Sequence, residues 1–150
     1  MSQPYLDTGL VLKLIVNEPL SETLEEWLLQ RSIPIPYTRL IELELENTLQ
    51  AKSFRKEIDA RQIKACQKLV GILLGEGKLF RPELSLDEVM LEALELMPKV
   101  TPQTGCRTLD LLHVVSACKL SYPEFVTSDK RQAGAARLLG LEVTELVGLS

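Results

Sequence analysis

A chain of 150 residues, 45% of them hydrophobic, holds enough apolar side chain for a single core without disulfides or structural metals. Its 21 acidic against 17 basic residues give a net charge of −4, which excludes global steering toward a nucleic acid; any such partner must be attracted locally. Cys66, Cys106 and Cys118 form an odd set without a C-x-x-C pair, which argues against a disulfide framework or zinc site and favours a reducing cytoplasm.

The opening "MSQPYLD" has no basic segment leading into an apolar run, and no stretch approaches the ~18 consecutive apolar residues of a membrane span. Neither export through a standard signal nor membrane insertion is expected. No repeat or low-complexity linker interrupts the sequence, so one domain over residues 1–150 is the expectation. A short strand near residues 3–7 leads into the apolar helical stretch "TGLVLKLIV", followed by "SETLEEWLLQR" (21–31), where Ser21 can cap a helix with Leu24, Trp27 and Leu28 on one face. "SIPIPY" reads as a strand whose prolines point to an edge or a strand start.

Helical period returns from Thr38 to Arg55 and again from Ile58 to Leu74, the latter stopped by Gly75 and Gly77. "KLFRPEL" is a third short strand. "SLDEVMLEALELM" opens with Ser85 and Glu88 in capping-box spacing and is expected to end at Pro98. Residues 104–120 predict a helix apolar on nearly all sides, "EFVTSD" a strand, "KRQAGAARLLG" a helix and "LEVTEL" the last strand. Strands alternating with helices predict a three-layer α/β/α sandwich around a mainly parallel sheet, with any ligand at the carboxyl ends of the strands.

Four carboxylates stand out against that frame. Asp7 ends the first strand and Asp129 ends the strand "EFVTS"; each is equally suited to capping the helix that follows. Asp110 shares its predicted helix with Leu109, Leu111, Leu112, Val114 and Val115, so it is expected to be buried, with Arg107 three residues earlier as an ordinary ion-pair partner. Among the alternating glutamates of "RLIELELENTL", Glu44 falls with Leu40, Ile41, Leu45 and Thr48 on the inward side, whereas Glu42 and Glu46 fall on the polar side. Four acids converging at one sheet edge repel unless a cation joins them, and oxygen-only ligation suits Mg²⁺ or Mn²⁺.

The order of "YLDTG", the E-x-x-N-x-L pattern of Glu44, Asn47 and Leu49, "RTLDLLHVVSA" and "FVTSDKRQAGAARLLGLEV" resembles the PIN-domain family, of the kind found in VapC-type toxins. The resemblance covers essentially the whole chain. It implies a PIN-like fold and a metal-dependent endoribonuclease acting on single-stranded RNA, with Asp7, Glu44, Asp110 and Asp129 as the acidic Mg²⁺ or Mn²⁺ site and Thr8 and Thr127 as supporting hydroxyls. It also implies a cytoplasmic toxin with a cognate antitoxin as partner, and a homodimer. Lys13, Lys52, Arg55 and Lys130 are candidates for flanking phosphates or ordinary surface cations. Gly9 replaces a serine common after the D-T pair, and Arg131 stands where some relatives carry a further acid, which leaves one metal in the resting state as the expectation.

Other chemistries lack their parts. His113 is the single histidine and no G-x-S-x-G is present, so it reads as a packing residue rather than a triad base. Gly75, Gly77 and Lys78 do not have phosphate-loop spacing. Two alternatives stay open: a phosphatase or phosphotransferase using Asp7 as nucleophile, although Gly9 stands where such enzymes carry a second aspartate, and a catalytically inert PIN-like interaction module.

Overall fold

The structure is a computed structural model that describes residues 3–16 and 21–146. The chain divides into two compact units, one built from the first strand together with the chain from Pro82 onward, the other from Thr8 to Arg81.

The first unit is organised on a three-stranded parallel sheet: β1 (Pro4–Leu6), β4 (Glu124–Thr127) and β5 (Glu142–Glu145), in the order β1-β4-β5. Every residue of β1 and β4 is buried, as a parallel strand covered on both faces requires, whereas β5 at the edge is only half-buried. Tyr5 lies opposite Phe125, and their rings stack at 5.6 Å between centroids and 9° between planes. Pairing runs past the end of β1, because the Asp7 N–H donates to Val126 O at 3.0 Å. That bond places Asp7 beside the carboxyl end of β4.

Three helices belong to this sheet: α5 (Leu86–Thr104), α6 (Thr108–Lys119) and α7 (Lys130–Leu138). Ser85 caps α5 by accepting from the Glu88 N–H at 3.3 Å. The expected end at Pro98 is corrected: α5 continues through Pro98 and Pro102 to Thr104. A proline removes one helical donor and leaves the carbonyl four residues back unpartnered; here Pro98 is exposed and Leu94 is 62% exposed, so water can hydrate that carbonyl. The helix stops instead at Gly105, whose φ of 66° is left-handed. This also delays the next helix, which begins at Thr108 rather than residue 104.

The second unit contains α1 (Thr8–Ile15), α2 (Ser21–Arg31), α3 (Arg39–Phe54), α4 (Ala60–Gly75) and a parallel pair of two-residue strands, β2 (Ile35–Pro36) and β3 (Leu79–Phe80). Ile35 and Tyr37 donate to Lys78 O and Phe80 O at 2.8 and 2.6 Å, so Pro36 sits between donors and costs the pair nothing. The parallel strands therefore form a three-stranded and a two-stranded sheet, one in each unit. Asp59 caps α4 with a complete capping box: its Oδ1 accepts from the Gln62 N–H at 2.8 Å, and Gln62 Oε1 accepts from the Asp59 N–H at 2.9 Å.

Thr38 caps α3, its hydroxyl accepting from the Ile41 N–H at 3.1 Å. The adjacent Tyr37 is fully buried, yet its hydroxyl has no hydrogen-bond partner among the described residues. Burial first, then the charges of Glu42 and Glu46, push its phenol up to about 12 against the pull of Arg81. The two neighbours are thus expected to respond oppositely in chemical denaturation: Thr38→Ala loses about 1 kcal/mol with the cap, while Tyr37→Phe is neutral or stabilising because it removes a buried, unpaired polar atom.

Burial pushes up the thiols of Cys66 and Cys118, with Glu46 and Glu92 adding to the respective effects. All three cysteines are free. No described helix is long and apolar enough to cross a membrane.

Candidate functional site

Three of the four sequence-predicted acids belong to the first unit, and one hydrogen-bonded network includes them. Asp7 is 4% exposed; its Oδ2 accepts from Thr127 Oγ1 and, at 3.3 Å, from the Ser128 N–H. Asp110 is 8% exposed; its Oδ1 accepts from Gln132 Nε2 at 3.0 Å and its Oδ2 from the Arg107 N–H at 2.9 Å. Asp129 Oδ1 accepts from the N–H groups of Arg131 and Gln132 at 2.8 and 3.1 Å. Gln132 closes the set, because its Oε1 faces Thr127 Oγ1 at 3.1 Å while Thr127 Oγ1 accepts from the Asp129 N–H at 2.9 Å.

The sequence explains how each member arrives. β1 and β4 are parallel, so their carboxyl ends, Asp7 and Thr127–Asp129, meet at one edge of the sheet. Asp110 is the third residue of α6, in reach of the Arg107 N–H that precedes that helix. The expected Arg107 ion pair is secondary: the guanidinium Nε is 3.8 Å away on a side chain 75% exposed. Asp129 caps α7 and occupies the site edge while doing so.

Glu44 and Thr8 belong to the second unit. Glu44 is half-buried on α3, between the buried Ile41 and Leu45, and its carbonyl accepts from Thr48 Oγ1 at 2.8 Å. Its two alternating neighbours have structural partners. Arg39 and Arg81 hold Glu42 at 2.7 and 2.6 Å, and Gln67 donates to Glu46 at 2.9 Å. Partial burial disfavours ionisation of Glu42, but the hydrogen bonds and charges of Arg81 and Arg39 outweigh it and hold that carboxyl below its usual value. Of the candidate phosphate-binding cations, Lys52 and Arg55 pair with Glu57 at 3.5 and 2.8 Å, and Lys130 is exposed at the start of α7.

His113 is fully buried, with Nδ1 2.8 Å from Tyr5 Oη, which is the packing role its isolation in the sequence implies. Gln132 was not among the sequence candidates, although it is 7% exposed. Its signal was there: a long polar side chain among the buried Ala133, Ala135 and Ala136 of a short helix.

The donor chemistry fits a hard divalent cation, since carboxylate, hydroxyl and amide oxygens are what Mg²⁺ and Mn²⁺ take. The positions are less complete. Among the described residues no group of three or more His, Cys, Asp or Glu side chains is gathered so as to hold a metal ion. Thr127 and Gln132 stand between the aspartates instead. In the second unit a hollow of about 610 Å³ is lined by Leu14, Leu28, Ile33, Ile35, Leu73 and Leu79, among others. The Trp27 ring, on the helix that contributes Leu28 to this hollow, is covered by the Arg31 guanidinium at 4.2 Å.

No family model matches the chain, and no curated protein matches it in sequence. Its structure is similar to a chain in the crystal structure of VapBC2 from Rickettsia felis bound to a DNA fragment from their promoter, with a TM-score of 0.65 and 19% identity over 95% of this chain and 97% of that one. At that identity the likeness carries the fold: an α/β chain with helices around parallel strands, of the kind found in the VapBC2 complex.

Proposed function

We propose that the chain is a metal-dependent endoribonuclease of the PIN type, cleaving single-stranded RNA as the cytoplasmic toxin of a type II toxin–antitoxin pair. The observation that carries this reading is the joining of Asp7, Asp110 and Asp129 through Thr127 and Gln132 at the carboxyl ends of β1 and β4. Burying two carboxylates costs several kcal/mol unless they are paired, and a folded chain keeps such acids where they have a charge to meet. Support also comes from the fold likeness to VapBC2, a complex solved on DNA.

Asp7, Asp110 and Asp129 would hold Mg²⁺ or Mn²⁺, with Thr127 orienting Asp7; Glu44 as a further ligand and Thr8 as a further hydroxyl are what the PIN-family resemblance implies. A bound cation supplies activation of a water and charge stabilisation at the scissile phosphate. It also gives an acidic chain a local attraction for RNA. A cognate antitoxin and a homodimer complete the proposed assembly; the apolar hollow beside Leu28 is one surface open to the antitoxin.

A second reading, an inert interaction module of the same fold, is favoured by the lack of a gathered trio of metal ligands among the described residues. Incubation of purified protein with single-stranded RNA in Mg²⁺ or Mn²⁺, with and without EDTA, separates the two. Cleavage abolished by EDTA is expected. Cleavage that persists in EDTA removes the metal-nuclease reading, absence of cleavage under all conditions favours the inert module, and a phosphoprotein formed with a phosphate ester would restore Asp7 as a nucleophile.

A further inference from the structure

The spacing Asp-x-x-Gln occurs twice at a helix start in this chain, and the two glutamines do different things. At α4, Gln62 turns back to the cap residue and accepts from the Asp59 N–H at 2.9 Å, closing the box. At α7, Gln132 holds the same position relative to Asp129 but leaves the box open, because the Asp129 N–H is taken by Thr127 Oγ1 at 2.9 Å. Its amide runs inward instead, donating to Asp110 Oδ1 at 3.0 Å and presenting Oε1 to Thr127 Oγ1 at 3.1 Å. Since Thr127 also contacts Asp7, two neutral side chains, Gln132 and Thr127, stand between the acid of α6 and the acid that follows β1.

We propose that Gln132 is a positioning residue, a neutral strut that fixes the spacing of Asp110 and Asp7 around Thr127 when no cation is present. An amide suits that position because it offers a donor to one carboxylate without adding a further negative charge. A carboxylate of the same length would leave Asp110 facing a like charge in a buried place. A hydrocarbon would leave Asp110 Oδ1 without its donor. The link to a cation rests on the proposed nuclease reading; the strut itself is read without metal.

The test compares melting temperatures of the full chain and its variants in EDTA and in Mn²⁺, with calorimetric Mn²⁺ titration alongside. In EDTA, Gln132→Leu should melt about 4 °C below the unmodified protein and Gln132→Glu lower still. Mn²⁺ should raise Gln132→Glu more than the unmodified protein. The double variant Asp110→Asn/Gln132→Glu restores one donor opposite one carboxylate with the roles exchanged, and keeps an acceptor for the Arg107 N–H. It should therefore recover most of the loss in EDTA, which a purely steric role for the side chain does not predict.

Single variants melting with the unmodified protein in EDTA would overturn the strut, as would a double variant no more stable than Gln132→Glu. Should Gln132→Glu not fold, recovery of a folded double variant stands in its place and non-recovery counts against the proposal. Equal Mn²⁺ responses in a protein that binds Mn²⁺ would also overturn it. If Mn²⁺ binds nothing but the EDTA pattern holds, the nuclease reading fails and the strut survives. If Mn²⁺ binds but the EDTA pattern is absent, the reverse is true.

Discussion

Asp110→Asn should lower RNA cleavage on the order of 10²- to 10³-fold, the usual loss when one preorganised electrostatic contributor is removed, while leaving the protein folded. The substitution keeps the acceptor for the Arg107 N–H and fills the same volume, so α6 retains its start, at the cost of turning an amide N–H toward the Gln132 donor. What disappears is one negative charge in a nearly dry place, where it has most effect on a cation or a polarised water. Glu42→Gln is the matched control. That carboxylate is committed to Arg39 and Arg81 in the second unit, and its loss should leave cleavage within a few-fold of the unmodified rate. An Asp110→Asn protein that cleaves at the unmodified rate would remove Asp110 from the site.

The largest effect on stability is expected at Phe125. Phe125→Ala should cost about 3–5 kcal/mol, combining lost transfer energy with the cavity left behind. The ring is fully buried at the centre of the sheet and stacked on Tyr5, whose hydroxyl lies 2.8 Å from His113 Nδ1, so the cavity opens among β1, β4 and α6. These are the elements that carry or adjoin Asp7, Thr127 and Asp110. Urea melts read the loss directly; an unfolding free energy within about 0.5 kcal/mol of the unmodified protein, by the linear extrapolation, would mean that the Tyr5–Phe125 stack is not the centre of this core.

The α/β class and the parallel strands were legible because short β-favouring stretches such as "PYL" and "EFVT" alternate with helical periods, although the buried Glu124 and Thr127 interrupt the apolar run that a strand covered on both faces usually shows. Distribution of the strands between two sheets was not, since which strands pair is decided by tertiary packing rather than by local pattern. Pro98 misled because proline usually ends a helix, yet an exposed helix surface lets water serve the stranded carbonyl. Asp110 was found as a polar residue on an apolar helix, but its nearer partner is a backbone N–H, which side-chain spacing does not reveal. Gln132 was hidden by a motif with a simpler meaning. Asp-x-x-Gln specifies a capping box, and only the capture of the Asp129 N–H by Thr127 turns the amide inward.

Titration of EDTA-stripped protein with Mn²⁺ in a calorimeter tests most directly whether these acids form a cation site. One binding event is predicted in the absence of RNA, weakened at least about tenfold by Asp7→Asn, Asp110→Asn, Asp129→Asn or Glu44→Gln, the scale on which altered ligand shells reduce metal affinity. Two tight sites without RNA would contradict the single-metal resting state, and no heat, or heat unchanged in all four variants, would contradict the site itself.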